Sequence, residues 1–490
     1  MLTRSLQRSV GHALLAAGAG LLALSIVAPI ASAHQLTVRY ESPLPLVAYL
    51  FGAAVAVAAS FALVLFRGES AGGARTEPSA SIAVPALVRS VLRAVGLVAW
   101  LWIAVQAIVG VTGESDASSL FGWIYGWVGL ALVSAFVGPV WRWIDPFSSL
   151  FDLLAAAVRR LGIGAMTPLA YPAWLGHWPA VGGYAFFVWL ELAVPQGRGG
   201  QFLGLAMLAY TALTLLLMSQ FGRDSWREQG ETFSVWFGQL GRLAPLGLDS
   251  ADPDRRVVRR PFASALAGAD WPIERLVLVA IATAAVIFDG MSQTEVWFGW
   301  FGAPGALVQT LLLFGWIGLI VAIALLTSRV VGVAPLASGL VPIAAGYIVA
   351  HYLTYLLFDG QRVALLATDP LSRGSDLIHL GEFEPITAWL PAGIVWAIQL
   401  VAIVGGHVTG ALAGHRVAVV EARRAVARDG PAEAADRPAA TSAIRSIRAR
   451  QVPLAILMVG LTTLTLWSLG QNIVAPAARP AALAATQPND

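Results

Sequence analysis

The sequence predicts an all-α protein, a polytopic bundle of transmembrane helices. Three observations carry that expectation: an apolar composition, a series of apolar segments of bilayer-spanning length, and a one-sided distribution of arginine.

Of the 490 residues, 57% are hydrophobic and only 12% are charged. A soluble domain carries roughly 25% charged residues, so this chain has too few to cover a water-facing surface. Its 18 tryptophans suit bilayer interfaces, where an amphipathic indole is favoured. The absence of cysteine removes disulfides, thiolate metal sites, Fe–S ligation and cysteine nucleophiles. All 31 basic residues are arginine, so no lysine is available as a Schiff base or as a phosphate-loop lysine. The basic balance follows membrane topology and does not point to nucleic acid.

Arg4 and Arg8, an apolar run over 13–30 and Ala31-Ser32-Ala33 form the three parts of a secretory signal peptide. Cleavage after Ala33 leaves His34 as the mature N-terminus. Ten further segments are long and apolar enough to span: 46–66, 91–111, 121–140, 178–195, 201–219, 272–289, 305–327, 336–358, 387–412 and 452–468. With His34 outside, 24 arginines fall on inner loops and helix ends and only 5 outside, the asymmetry of a bacterial plasma-membrane protein. An even number of crossings puts both mature termini outside.

The expected organisation is therefore a signal peptide (1–33), a membrane domain (34–412) with nine spans, a linker (413–451), a last span (452–468) and an external tail (469–490). Two inner stretches, Phe147–Arg160 after Asp145-Pro146 and Glu231–Leu243, place apolar residues at helical spacing and predict amphipathic helices on the inner leaflet. The linker is rich in Ala, Arg and Pro, which favours a flexible segment near anionic headgroups. No internal repeat is visible, which weakens an inverted-repeat transporter reading.

Ionisable groups within the hydrocarbon are costly and therefore mark candidate sites. At ~1.5 Å per residue, Glu191 lies ~7 Å to the outer side of its span centre and His351 ~6 Å to the same side. Gln106 and Gln309 fall at ~7–10 Å, also outward. Asp289 and Asp359 are expected to end their helices at the outer surface, each followed by glycine. These six residues come from five spans and predict an outward-facing polar vestibule, with Tyr352 and Tyr355 near His351. Interhelical hydrogen bonding is the alternative role for each polar group. His407 lies ~11 Å to the inner side, ~17 Å from His351 in depth, so those two cannot share a metal.

A free amine and an imidazole on a mature His34 form a two-nitrogen clamp suited to copper, with His351 or His379 as the second histidine. Carboxylate and imidazole at one depth (Glu191 with His351) are the other metal candidates, for copper or zinc. The external stretch 359–385 adds Asp369, Asp376, His379, Glu382 and Glu384, a solvated acidic loop or a cation cap. No nucleophile elbow, H-E-x-x-H or phosphate-binding loop occurs.

Several stretches, AHQL (33–36), YPAWLGHWPA (171–180), WREQGETFSVWFGQLGRLAPL (226–246), FDG (288–290) and AHYLTYLLFDGQ (350–361), resemble bacterial multi-pass membrane proteins labelled fenitrothion hydrolase. The likeness extends from His34 to about His415, and 226–246 is its most specific part. The resemblance implies cleavage of an aryl phosphotriester, a hydrophobic ester that partitions into the lipid bilayer, by metal-bound hydroxide. It supplies no catalytic motif, so Glu191, Asp289, His351 and Asp359 are candidates from the residue reading alone. Three functions follow: a carrier of a small solute or ion, a metal-dependent hydrolase, or a structural membrane subunit.

Overall fold

The computed structural model describes residues 81–110, 120–162, 167–194, 199–371, 373–380, 383–428 and 452–471, together with Ser118 and isolated residues between 47 and 59. His34, the signal peptide, the external tail and most of the expected first span lie outside the described residues.

Among the described residues, seven helices are long and apolar enough to cross a bilayer. They are α1 (Ala86–Val109), α6 (Gly200–Phe221), α9 (Ile273–Ser292), α11 (Ala306–Val331), α12 (Val333–Leu357), α14 (Ala392–Arg428) and α15 (Val452–Gly470). Two further expected spans form shorter helices, α2 (Leu120–Phe136) and α5 (Trp178–Leu192). Between these run α3 (Trp141–Ile144), α4 (Pro146–Arg160), α7 (Arg223–Gln229), α8 (Thr232–Leu240), α10 (Glu295–Phe301) and α13 (Val363–Thr368).

Local chemistry sets the boundaries. Asp145 caps α4 by accepting from the Phe147 and Ser148 amides, with Pro146 in the first helical turn, where its missing N–H is no loss. Gly332 joins α11 to α12 as a one-residue hinge at φ 99°, a left-handed conformation that glycine adopts without a Cβ penalty. α14 continues to Arg428, sixteen residues past the expected end of its span, and so takes in the first part of the expected linker. The reason lies in 413–428, where Ala, Glu and Arg favour helix, no proline intervenes, and Gly414 is the one glycine.

The bundle has a centre and a rim. α9 and α12 are buried along 89% and 83% of their apolar windows, whereas α1, α11 and α14 are buried along only 22–28%. Apolar helices with exposed apolar sides are stable in lipid and not in water. α12 and α14 pack backbone against backbone: a Cβ on Gly406 would meet the Pro342 carbonyl at 2.7 Å, and Gly339 and Gly410 face each other. Small residues of this kind allow close helix approach in membranes.

Two features depart from the sequence expectation. Strands β1 (Ser81–Ala83), β2 (Leu246–Leu248) and β3 (Arg256–Arg259) form an antiparallel sheet in the order β1-β3-β2. Its strands are too short for a period-2 pattern to stand out. α8 turns its apolar side to protein: Trp236 is fully buried and packs on Trp127 of α2 and Tyr184 of α5. Helical spacing of aromatic residues marks an apolar face without saying whether lipid or protein covers it.

Candidate polar site

The buried carboxylate of Asp289, in α9, organises the site. Its Oδ2 accepts from His351 Nε2 at 2.8 Å and from the Tyr352 hydroxyl at 3.1 Å, both from α12. Its Oδ1 accepts from Gln293 Nε2 at 2.9 Å, one turn further along α9. Glu191 of α5 stands within electrostatic reach of Tyr352 and Tyr184. Only 1% of Asp289, 4% of His351 and 6% of Glu191 are exposed. Gly290 brings the third wall close: a Cβ there would meet Ser468 Oγ of α15 at 3.1 Å and His351 Nδ1 at 3.4 Å.

Three of the four expected catalytic residues are thus neighbours in the bundle. Asp289 does not end its helix at the surface, because α9 runs on to Ser292 and encloses it. Asp359 opens a short 3-10 turn after α12 and has Arg362 at 3.9 Å. Gln106 is buried in α1, and Gln309 donates to the Leu192 carbonyl at 3.3 Å. His407 lies apart, its Nδ1 against the Ile403 carbonyl at 2.8 Å and its Nε2 3.4 Å from the Tyr347 hydroxyl. In the external stretch, Asp369 accepts from the Arg373 and Gly374 amides and Asp376 from Thr368 and Leu380, so these acids order their own loop.

A metal does not fit this arrangement. Asp289 and His351 spend their facing donor atoms on one another instead of converging on a common point. Among the described residues no group of three or more His, Asp or Glu side chains is placed to hold a metal ion.

A second charged assembly, which sequence reasoning did not foresee, lies between α3, α4 and α7. Asp254 accepts from Arg142 Nε at 2.8 Å and Arg227 Nη2 at 3.1 Å, and its carbonyl accepts from Trp143 Nε1 at 2.8 Å. Burial alone would raise the Asp254 carboxyl, but Arg142 and Arg227 outweigh it and hold it below its ordinary range. Arg227 is lowered by burial and by the nearby Arg142. Burial raises the Asp145 carboxyl against four hydrogen-bond and charge contacts that lower it. Glu231 is fully buried, caps α8 through the Phe233 and Ser234 amides, and accepts from the Tyr210 hydroxyl at 2.6 Å. Its carboxyl is raised, first by burial and then by Asp145. Arg142, Arg227 and Asp254 pair with one another, and Asp145 and Glu231 each cap a helix, which describes a scaffold joint.

Fold and site together define a multi-pass α-helical membrane protein with a buried carboxylate–imidazole–phenol cluster. Comparison with protein-family models, curated proteins and solved structures finds no match to this chain.

Proposed function

We propose that this chain is a membrane carrier for a small solute or ion, with the proton as the ion handled at the Asp289–His351–Tyr352 cluster. A single observation carries the reading: one buried carboxylate gathers an imidazole and a phenol from another helix, with Glu191 of a third helix beside them. Helix adhesion is achieved at far lower cost by Ser, Thr or Gln. A carboxylate–histidine set among spanning helices instead has the chemistry of a proton relay, since each group exchanges a proton with its neighbour by a small movement.

The reading includes ten crossings after removal of a signal peptide, a bacterial plasma membrane, and both mature termini outside; the arginine distribution supports that orientation. The cluster then belongs to the outer half of the bilayer. The hydrolase implied by the resemblance is the competing activity. It would require Glu191, Asp289, His351 and Asp359 to rearrange around a metal, with His34 as a further donor.

Purified protein in vesicles enclosing a pH-sensitive dye tests the proposal under an imposed pH gradient. Flux above that of protein-free vesicles, abolished by Asp289→Asn and Glu191→Gln, is the expected result. Flux equal in wild type and both variants would sink it. Metal-dependent turnover of an aryl phosphotriester by the same preparation, without flux, would replace it with the hydrolase.

A further inference from the structure

A separate cavity of about 400 Å³ lies between α1, α2, α5 and α6. Trp100, Phe121, Trp123, Trp127 and Phe187 supply aromatic wall, and no charged side chain lines it. Its few polar groups include the hydroxyls of Tyr125, Tyr210 and Thr232 and the indole N–H of Trp127, so an apolar occupant suits most of the wall better than water, which needs two to four polar partners when buried. The volume is that of a small-molecule site.

The wall formed by α2 is unusual. Leu120–Gly129 is wound as a π-helix, a conformation that is rare, strained and concentrated at functional sites. Gly122, Gly126 and Gly129 of this stretch all face the cavity, so the wide turn and the missing side chains together create the space. A well-packed core would have filled it.

Shape and position indicate what enters. On α1 the lining runs from Val95 to Ile103, about 12 Å along the axis, so the cavity is elongated parallel to the spanning helices. Val95 is itself half exposed on the sparsely buried side of α1, which places an opening on the lipid side. Arg93 stands three residues before Gly96, another lining residue, and residues three apart share a helix face. Its side chain is 41% exposed, and Arg93 and Arg223 both pair with the single carboxylate of Asp152.

We propose that this cavity binds one acyl chain of a membrane phospholipid, with the phosphodiester held near Arg93. The apolar tube takes the chain, and the basic position one turn beyond its mouth takes the phosphate, for which arginine is the matching donor. This site is independent of the proton chemistry at Asp289.

Photo-crosslinking of the full chain in vesicles tests it, using phosphatidylglycerol with a diazirine midway along one chain. Labelling of 120–133 and 183–190 is expected, several-fold above the exposed face of α11. Diacylglycerol carrying the same chain, which lacks the phosphate, should label these segments several-fold less. Gly122→Phe should cut the phospholipid signal several-fold, since a Cβ at Gly122 meets nothing within 4 Å and its ring can enter the cavity. Arg93→Gln should narrow the gap between the two lipids. Even labelling of all lipid-facing helices by the wild type, or equal labelling by diacylglycerol, overturns the proposal whether or not the variants fold. An unchanged signal in a folded Gly122→Phe does the same.

Discussion

Replacing Asp289 by Asn separates a carboxylate kept for its charge from one kept for adhesion. The substitution is isosteric and removes one negative charge from the centre of the bundle. In wild type, Oδ2 accepts from His351 and Tyr352 while Oδ1 accepts from Gln293. Asparagine retains one acceptor oxygen, which can still serve His351 and Tyr352. Its amide then faces the Gln293 amide, donor to donor, until Gln293 turns its own oxygen inward. A hydrogen bond to a charged group contributes about 1.5–3 kcal/mol and a neutral one about 0.5–1.5, so three weakened bonds cost about 3 kcal/mol. Burial of an ionised carboxylate itself costs several kcal/mol, and its removal offsets that loss. The expected outcome is thermal stability equal to or above wild type, with proton flux abolished. Detergent-phase thermal unfolding and vesicle flux on the same preparations measure both. A folded Asp289→Asn protein with full flux would show that the charge has no transport role and refute the reasoning. Asp289→Leu provides the contrast, because it leaves the His351, Tyr352 and Gln293 donors unpaired at about 1–3 kcal/mol each, so that variant should unfold at a clearly lower temperature.

Other consequences follow from single contacts. Glu231→Ala removes the cap of α8 and the acceptor of Tyr210, with an expected loss of about 2–4 kcal/mol read by thermal unfolding; recovery of most of it in Glu231→Gln would confirm a capping role. Asp254→Asn strips the charge from a carboxylate shared by Arg142 and Arg227; because the Asp254 side chain is 47% exposed, solvent screens the pairs and the loss should be about 1 kcal/mol by thermal unfolding, whereas a loss of several would mean that the joint is shielded. A Cβ on Gly410 is directed at the Gly339 backbone while one on Gly405 meets nothing within 4 Å, so Gly410→Ala should lose about 1–3 kcal/mol and Gly405→Ala should not. His177 gives a pH dependence. Burial first, and then the Arg275 charge, lower its basicity below the ordinary 6.5, and the ring receives Arg275 Nε–H at Nε2, at 3.1 Å. A folded value below the unfolded one means that the unfolded chain takes the proton first as pH falls. Stability from this group is therefore complete above about pH 6.5 and declines as pH falls through the folded value; unfolding curves of His177→Gln should lack that part of the slope.

The membrane character was legible because lipid selects on composition and segment length, which are properties of the chain alone. Seven of the ten expected spans appear as helices of full length, and the signal at Asp145-Pro146 marks a real boundary. Asp289, His351, Tyr352 and Glu191 were recognisable as ionisable groups placed at great cost. Their mutual hydrogen bonds depend on the rotation of α9 against α12, which depth along a helix does not specify. The end of α9 was misplaced for a related reason: Gly290 reads as a stop, yet its function is to admit His351 and Ser468 beside the helix. Asp254 gave no signal, because an aspartate among several in a Pro-containing loop (Asp249, Asp252, Asp254) looks solvated until α3 and α7 bring Arg142 and Arg227 to it. The aromatic cavity was equally hidden, since Trp and Phe in an apolar run signify core, interface or binding wall without distinction.

The position of α5 connects these observations. Leu190 faces the aromatic cavity and Glu191, the next residue, lies with the polar cluster. Consecutive residues point about 100° apart on a helix, so α5 contributes to the cavity wall and to the cluster at once. A charge turned into this apolar wall would be penalised, because low dielectric disfavours the charged form. Phe186, Phe187 and Leu190 supply the apolar screen on one side of α5, while α9 and α12 close the other. Any rotation of α5 that brought Glu191 toward the cavity would also draw Leu190 out of its wall.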